Sequence, residues 1–195
     1  VMGGGENVLA IYDAKSRTPL TSSVPLYFAT VLRLIKGIMV ISPEVISPSL
    51  TSSGMPVFVR GVNSTNFLAI QPINLKQGRP LDLSDIYEVT VGERLAQRLG
   101  LKVGERTTFF SAFGGRYSEL EVVGIFRSGT SLDDEILSSL WVAQWLRGLP
   151  YSDVTLIRVE VDPTILTKDG LARTLFSKHT VKLIVRQADS TPAGD

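Results

Sequence analysis

The feature that most constrains the fold is a strand–helix–strand pattern at the N-terminal end of the chain that recurs at the C-terminal end. Residues 6–14 and 38–46 are rich in aliphatic and aromatic side chains that favour strands, and apolar residues recur between them at helical spacing. Pro25 suits the first turn of that helix, and Gly37 can end it in the left-handed conformation. This unit predicts two strands that can lie parallel.

The C-terminal end has the same order of elements. Residues 153–161 predict a strand, 166–179 a helix and 180–187 a second strand. Two such units with β-rich sequence between them predict an α+β fold, in which both ends of the chain build a split ferredoxin-like subdomain around an inserted one. The predicted units are 1–62 with 150–189 for the split subdomain, 63–149 for an inserted β-rich subdomain with short helices, and 190–195 for a linker.

The middle of the chain reads as β-rich. Strands are predicted at residues 55–62, after a Ser/Pro/Gly-rich loop, and at 86–91, before a short helix that ends at Gly100. Gly114–Gly115 separates two further β-rich runs and predicts a hairpin, because both turn positions can adopt positive φ. A third helix is predicted from about Asp134 to Arg147, with acidic residues at its start and glycine after its end.

Charge and composition exclude several classes of function. The 195 residues include 20 Lys and Arg against 19 Asp and Glu, so nucleic acid is not an expected partner. The chain has no cysteine and therefore no disulfide or thiolate metal site. Its most apolar segment is interrupted by Arg33 and Lys36, so no membrane span is expected within it. Because the sequence begins with Val1, we expect a fragment or a processed form of a longer protein.

The sequence offers little support for catalysis. His179 is the single histidine, the chain has no Walker A loop, and Gly3–Gly5 precedes the first strand, where a phosphate-binding loop is not expected. No catalytic residue, cofactor or metal ligand is predicted. Asp133, Asp134 and Glu135 could bind a hard cation, but a helix-capping role is favoured because adjacent helical positions point in different directions.

Six short motifs follow one another in the middle of the chain: Ile41-Ser42-Pro43-Glu44-Val45, Val59-Arg60-Gly61-Val62, Gln77-Gly78-Arg79-Pro80-Leu81, Val91-Gly92-Glu93-Arg94-Leu95-Ala96, Leu99-Gly100-Leu101-Lys102-Val103-Gly104-Glu105 and Glu121-Val122-Val123-Gly124-Ile125. In this order they resemble the MacB-like periplasmic core domain of FtsX-like ABC transporter permeases. Each motif reads as structural. Gly92 is expected to let a strand turn into a helix whose apolar edge is Leu95, Ala96 and Leu99. The repeated Val-Gly-Glu-Arg, at residues 91–94 and 103–106, is too short to encode a repeat.

The resemblance implies a domain between two transmembrane helices of a permease, exposed on the extracytoplasmic side of the cell membrane. It implies a porter-like subdomain built from both ends of the chain. The implied partners are the transmembrane helices of the same permease, a separate cytoplasmic ABC ATPase, a second permease subunit, and an extracytoplasmic adaptor or cargo protein. The implied function is mechanotransmission, in which ATP-driven change on the cytoplasmic side moves a substrate or partner outside the membrane.

The predicted hairpin tip is the best candidate for a partner-binding site. Phe113, Arg116 and Tyr117 lie at an exposed turn, and aromatic and arginine side chains are enriched in binding hot spots. Phe109 is predicted to be core. Trp141 and Trp145 lie one helical turn apart and are predicted to form a packed apolar stripe.

Two alternative functions stay open at this stage. One is a free-standing extracellular binding or adhesion module, with which the glycosylation pattern at Asn63 is compatible. The other is a hydrolase with an uncommon site built from Asp82, Asp85 or His179, which requires a pocket that joins these side chains.

Overall fold

The computed structural model describes residues 7–82, 84–178 and 183–187. The strands are β1 Val8–Asp13, β2 Val24–Pro25, β3 Ile38–Thr51, β4 Pro56–Val62, β5 Asn74–Gly78, β6 Glu88–Gly92, β7 Arg106–Ser111, β8 Tyr117–Arg127, β9 Glu135–Ser139, β10 Asp153–Val154, β11 Leu156–Val161 and β12 Leu183–Gln187. The helices are α1 Phe28–Leu32, α2 Ser64–Ile70, α3 Glu93–Leu99, α4 Leu140–Arg147 and α5 Lys168–Lys178. His179, Gly3–Gly5 and the predicted linker at 190–195 lie outside the described residues.

Strands from the two ends of the chain lie side by side. Their order is β12-β1-β11-β3, and each strand is antiparallel to its neighbour. The connection from β1 to β3 contains α1, and the connection from β11 to β12 contains α5. β1 and β3 run in the same direction but are separated by β11, so this half has a split β–α–β order. The fold is a mixed sheet with helices, as the α+β prediction required.

β3 is longer than the sequence predicted. It runs from Ile38 to Thr51, whereas the Ser/Pro-rich composition after Ile46 predicts a loop. Its first half pairs with β11, its second half with β4, and its last residues with β7. Pairing along both edges outweighs the local loop preference, because each partner strand supplies hydrogen bonds that a loop would lack.

The second half of β3 belongs to a closed ring of strands. Going round, β3 pairs with β4, β4 with β9, β9 with β6, β6 with β8, β8 with β7, and β7 again with β3. β5 lies outside the ring and pairs with β8 on the edge opposite β6. A ring has no free edge among its own members, which removes a site for unwanted strand pairing.

One hydrophobic core continues from the split sheet into the ring. The same cluster contains Ile11, Phe28 and Leu171 from the N- and C-terminal elements, and Val59 and Ile136 from the ring. All five side chains are fully buried. Apart from the short β2–β10 pair, the described strands therefore form one sheet with one main core. The predicted division into two subdomains stays a prediction.

Two helix predictions are wrong at their N-terminal ends. The third helix begins at Leu140 rather than near Asp134, because residues 135–139 form β9 between β4 and β6. Ser139 ends that strand and caps the helix, its hydroxyl accepting a hydrogen bond from the Val142 amide at 3.3 Å. The first helix begins only at Phe28, because Pro25 pairs with Asp153 in a short strand ladder. It also ends early, at Leu32, so the prediction that Gly37 ends it is wrong, although Gly37 has a positive φ of 100°.

The two copies of Val-Gly-Glu-Arg adopt different structures. In the first copy Val91 is a buried strand residue and Gly92 precedes α3, which ends as predicted at left-handed Gly100. In the second copy Val103 is partly exposed in a turn. Gly92 has an ordinary φ of −62°, so its expected role is corrected: a Cβ there would lie 2.3 Å from the Asp133 carbonyl oxygen. Close backbone approach, and not backbone flexibility, requires this glycine.

Candidate functional site

Five polar side chains form a continuous ion-pair ladder across β9, β4, β3 and β11. Glu135 accepts hydrogen bonds from Arg60 Nε at 2.6 Å and Nη2 at 2.9 Å, and Arg60 Nη1 donates to Glu44 Oε2 at 2.7 Å. On the other side, Arg158 Nε donates to Glu44 Oε1 at 2.6 Å. Arg158 Nη1 then donates to Gln71 Oε1 at 3.2 Å. The ladder joins two of the four strands of the split sheet, β11 and β3, to two strands of the ring, β4 and β9.

Glu44 is the centre of this ladder. Its side chain is fully buried, between the guanidinium groups of Arg60 and Arg158. Burial raises the pKa of Glu44, but the charges of Arg158 and Arg60 and their hydrogen bonds outweigh it and hold the pKa below its usual value. A buried carboxylate paired in this way is strongly bound to its position, because moving either arginine would leave it uncompensated.

Other buried groups fix β3 at the same point. The Thr155 hydroxyl donates to the Glu44 carbonyl oxygen at 3.0 Å and accepts from the Ile46 amide at 2.9 Å. The Phe67 ring of α2 lies 5.0 Å from the Arg158 guanidinium carbon. These contacts surround the place where β3 changes its partner from β11 to β4.

The ladder was not predicted from the sequence, although two of its members lie in the quoted motifs. Glu44 is in ISPEV and Arg60 is in VRGV, each within a strand that was identified from its apolar neighbours. Arg158 likewise stands alone in LIRVEV. A single charged residue in a strand that is expected to be buried needs a partner of opposite sign. The lone charges of Glu44, Arg60 and Arg158 could therefore have indicated a buried ion-pair network.

The two ends of the described chain meet at one end of the split sheet. Leu9 of β1 pairs with Gln187 of β12 on one side and with Val159 of β11 on the other, and Val159 pairs with Ile41 of β3. The first and last described strands are thus neighbours, at the level of the start of β3. The ladder residue Glu44 lies further along the same strand.

The hairpin forms as predicted, but its tip is not isolated. Gly114 and Gly115 have φ of 80° and 75°, which favours glycine at both turn positions. Arg116 Nη1 donates to the Trp145 carbonyl oxygen at 3.1 Å, and the guanidinium carbon lies 4.9 Å from the Trp145 ring centroid. The Trp145 indole nitrogen donates to the Tyr117 carbonyl oxygen at 3.0 Å. The tip therefore docks on α4.

We call this region the aromatic–arginine surface; its members are Phe110, Phe113, Arg116, Tyr117, Trp141, Trp145, Arg147 and Tyr151. Phe113 and Tyr117 are 62% and 65% exposed, whereas Phe109 is fully buried, as predicted. The prediction that Trp141 and Trp145 form a packed stripe is wrong, because they are 55% and 43% exposed. Arg147 lies over the Phe113 ring at 4.5 Å. The structure thus brings the three predicted residues onto a wider exposed surface.

The three consecutive carboxylates at residues 133–135 have three separate structural roles. Buried Asp133 accepts hydrogen bonds from the amides of Ser128 and Gly129. Asp134 pairs with Arg94 at 2.7 Å, and this arginine helps to hold the Asp134 pKa below its usual value. Glu135 belongs to the ladder. Asp133 and Asp134 lie in a 3-10 turn whose N-cap is Thr130, and Glu135 begins β9, so the predicted helix-capping role is wrong. Among the described residues there is no group of metal-ligating side chains.

Asp82 and Asp85, the carboxylates considered for a hydrolase site, each accept a backbone hydrogen bond within a local turn. Asp82 Oδ1 accepts a hydrogen bond from the Ser84 amide, and Asp85 Oδ1 accepts one from the Tyr87 amide, both at 2.9 Å. Asp82 borders a shallow, open depression beside α2, and Asp85 does not line it. The Asn63 side chain accepts a hydrogen bond from the Asn66 amide and caps α2.

The fold and the site define a class of protein: an α+β domain whose two ends meet at one edge and whose notable side chains form a buried ion network and an exposed aromatic surface. The chain belongs to the MacB-like periplasmic core domain family, whose model matches residues 3–173. It is thus an extracytoplasmic domain of the MacB/FtsX-like class of ABC transporter permeases, a family of transporter domains and not of known enzymes. None of the curated proteins matches the chain in sequence.

Two solved structures share this fold. The periplasmic region of MacB from Actinobacillus actinomycetemcomitans is similar with a TM-score of 0.68 and 16% identity, over 96% of this chain and 91% of that one. The extracellular domain of the noncanonic ABC-type transporter YknZ from Gram-positive bacteria has a TM-score of 0.67 and 15% identity, over 92% of this chain and 100% of that one. Within the described part of the chain, none of the helices has the length and apolar character to cross a membrane.

Proposed function

We propose that this domain transmits a conformational change, driven by a separate ABC ATPase, from the membrane part of a permease to a substrate or partner outside the membrane. The observation that carries the proposal is β3, a single strand of 14 residues that starts beside the chain ends and continues into the ring. β3 pairs with β11 between residues 38 and 44 and with β4 between residues 44 and 50, and β7 joins it at residues 49–51. Because these pairings follow one another without a gap, the strand is held in the sheet from end to end, and movement at its start displaces its far end.

Geometry supports an input at the chain ends. Leu9 and Gln187 are paired, so the start of β1 and the end of β12 lie side by side in the sheet. Two transmembrane helices of one permease would move such a pair together. From Ile41, at this level, to the end of β3 at Thr51 the strand rises by about 33 Å, at about 3.3 Å per residue.

The ion-pair ladder supports transmission across strands. Sliding β3 against β4 would separate Glu44 from Arg60, and sliding it against β11 would separate Glu44 from Arg158. Each separation would leave a buried charge without its partner, which is strongly unfavourable. The ladder therefore opposes shear at the position where β3 leaves the split sheet.

The proposal includes the partners and the organisation that family membership implies. These are the transmembrane helices of the same permease, the ABC ATPase, a second permease subunit and an extracytoplasmic adaptor or cargo protein. We assign the split porter-like subdomain to the input side and the inserted β-rich subdomain to the output side. Phe113, Arg116 and Tyr117 are proposed as partner-facing residues, supported by the exposure of Phe113 and Tyr117, by the half-buried position of Arg116 beside them and by the surrounding aromatic side chains.

Distance measurements on the full permease with its ATPase test this proposal. The chain has no cysteine, so a spin label at Ser52→Cys, just beyond β3, is specific within the domain. We expect the distance between labels on two permease subunits to differ between nucleotide-free and ATP-trapped states. An identical distance distribution in both states, with ATP hydrolysis intact, would contradict transmission to the end of β3.

A further inference from the structure

We propose that the aromatic–arginine surface binds an acidic segment of a protein partner, with partner carboxylates on Arg116 and Arg147 and an apolar partner side chain against Phe113 and Trp145. This inference deepens the partner-facing site of the proposed function and rests on it. It names the chemistry of the segment recognised there.

Both arginines are positioned without a carboxylate. None of the ion pairs in the described ranges includes Arg116 or Arg147. Seven other arginines there pair with acidic residues, whereas Arg17, Arg33 and Arg173 do not, so what distinguishes Arg116 and Arg147 is that aromatic rings and backbone carbonyl groups hold them in place. Arg116 is held by the Trp145 carbonyl and ring, and Arg147 Nη2 donates to the Leu20 carbonyl oxygen at 3.1 Å. Arg147 Nε is buried and has no hydrogen-bond partner. The surface thus has two oriented cations whose charge nothing in the described chain neutralises.

Nearby acidic groups are engaged elsewhere. Glu119, two residues beyond Tyr117 on β8, is paired with Arg106 at 3.6 Å. Asp153 accepts hydrogen bonds from the hydroxyls of Ser23 and Ser152. The carboxylates that complement this surface must therefore come from another molecule. A guanidinium presents a planar set of donors that matches a carboxylate.

The aromatic side chains supply the apolar part of the site. Phe113, Tyr117, Trp141 and Trp145 are each more than 40% exposed and lie on or beside α4 and the hairpin. Trp145 is fixed by its indole hydrogen bond, so little side-chain entropy is lost when a partner covers it. Trp, Tyr and Arg together are the residue types that contribute most at protein interfaces.

The position of the surface favours a protein over a lipid bilayer. The Ala112 amide at the hairpin tip donates to the Pro48 carbonyl oxygen at 3.0 Å, which places the tip beside Pro48. Pro48 lies seven residues along β3 from Ile41, about 23 Å of strand. Leu20, which contacts Arg147, follows the opposite end of β1 from the chain ends. If the chain ends lead to the membrane, the surface points away from it.

Intrinsic fluorescence gives a direct test on the 195-residue chain. Both tryptophans of the sequence, Trp141 and Trp145, belong to this surface, so their emission reports on its occupation. The probes are short synthetic peptides without tryptophan: one alternates glutamate with leucine, one lysine with leucine, and one glutamate with serine. We expect a saturable emission change with the glutamate–leucine peptide only, with affinity that falls as salt is raised.

Variants locate the binding. We expect Arg116→Glu and Arg147→Ala each to weaken binding by about tenfold, while Arg173→Ala, at an exposed arginine on α5, leaves it unchanged. Arg147→Lys controls for folding, since it keeps a cation above Phe113. Equal binding of the lysine–leucine peptide, no binding of the glutamate–leucine peptide, or equal loss in the Arg173 variant would overturn the proposal. Phosphatidylglycerol vesicles test the alternative of a lipid surface. If they change the tryptophan emission and the acidic peptide does not reverse that change, the proposal is also overturned.

The two proposals can fail separately. Peptide binding is measured on the isolated chain without ATPase, whereas transmission is measured as a distance change in the full permease. Absent peptide binding alongside a nucleotide-dependent distance change would reject only the acidic partner. The reverse result would reject only transmission.

Discussion

Glu44 shows how one residue can link the two halves of the sheet. Its carboxylate is buried between two arginines that belong to different neighbouring strands. Such a group adds little net stability compared with a well-packed apolar residue, but removing one partner is strongly unfavourable. Its value to the molecule is that it fixes the relative positions of β11, β3 and β4.

Neutralising Glu44 should therefore destabilise the chain. We expect Glu44→Gln to lower the free energy of unfolding by about 3 kcal/mol, because Arg60 and Arg158 lose a buried counter-charge. Glu119→Gln, which removes an exposed ion pair with Arg106, should change it by less than about 0.5 kcal/mol. Urea denaturation followed by circular dichroism measures both. Equal effects of the two substitutions would contradict the role assigned to the ladder.

The same carboxylate predicts a pH dependence. The pKa of Glu44 in the folded chain lies below its usual value of 4.5, so the ionised form stabilises the fold at neutral pH. This contribution is complete above the unfolded pKa and is lost as pH falls through the folded pKa. We expect the wild-type free energy of unfolding to decrease on acidification below pH 4.5 more steeply than that of Glu44→Gln. Parallel curves in that range would show that Glu44 is not the group responsible.

At the scale of elements, the sequence predicted what depends on local chemistry. The helix α3 ends at left-handed Gly100, and the hairpin turns at two glycines with positive φ. The end of this helix and the turn of this hairpin are both determined by residues that are close together in the sequence. These elements form where predicted because no distant partner overrides the local preference.

Elements that depend on distant partners were not predictable in the same way. The sequence predicts the start of a helix where β9 lies, because Asp133, Asp134 and Glu135 are typical of a helix N-terminus, yet Ile136 and Leu137 are buried between β4 and β6. The Ser/Pro-rich end of β3 reads as a loop, but β4 and β7 convert it into strand. The ladder depends on residues 114 positions apart, Glu44 and Arg158, which no local pattern relates.

Gly92 gives a test at this scale, because it sets how closely β6 and α3 approach the 3-10 turn at residues 131–134. We expect both Gly92→Ala and Gly92→Asn to lower the free energy of unfolding by about 1–3 kcal/mol, since any Cβ meets the Asp133 backbone. At Gly100, which has open space and φ of 69°, Asn should be tolerated better than Ala. Denaturation of the four variants measures this. If Asn rescued the Gly92 position, close approach would not be the reason for the glycine.

At the scale of the whole molecule, the two neighbouring ends, the long β3 and the closed ring form one connected sheet. Family membership gives this architecture a place outside the membrane in a transporter. The α+β class was readable from the strand–helix–strand patterns at both ends of the chain, and the family from the order of six short motifs. The sequence predicted only part of the aromatic–arginine surface, namely Phe113, Arg116 and Tyr117. It did not predict that Trp141 and Trp145 are exposed, because their exposure depends on how the hairpin docks on α4.

The most direct test of the account compares movement at the two ends of β3. Met39, near its start, is 66% exposed, and Ser52 is exposed beyond its end, so single spin labels at Met39→Cys or Ser52→Cys report on each end in the full permease. With wild-type Glu44 and with the Glu119→Gln control, we predict nucleotide-dependent distance changes at both sites. With folded Glu44→Gln, the change at residue 39 should persist while the change at residue 52 is reduced. An undiminished change at residue 52 in Glu44→Gln would contradict the claim that the buried ladder carries movement along β3.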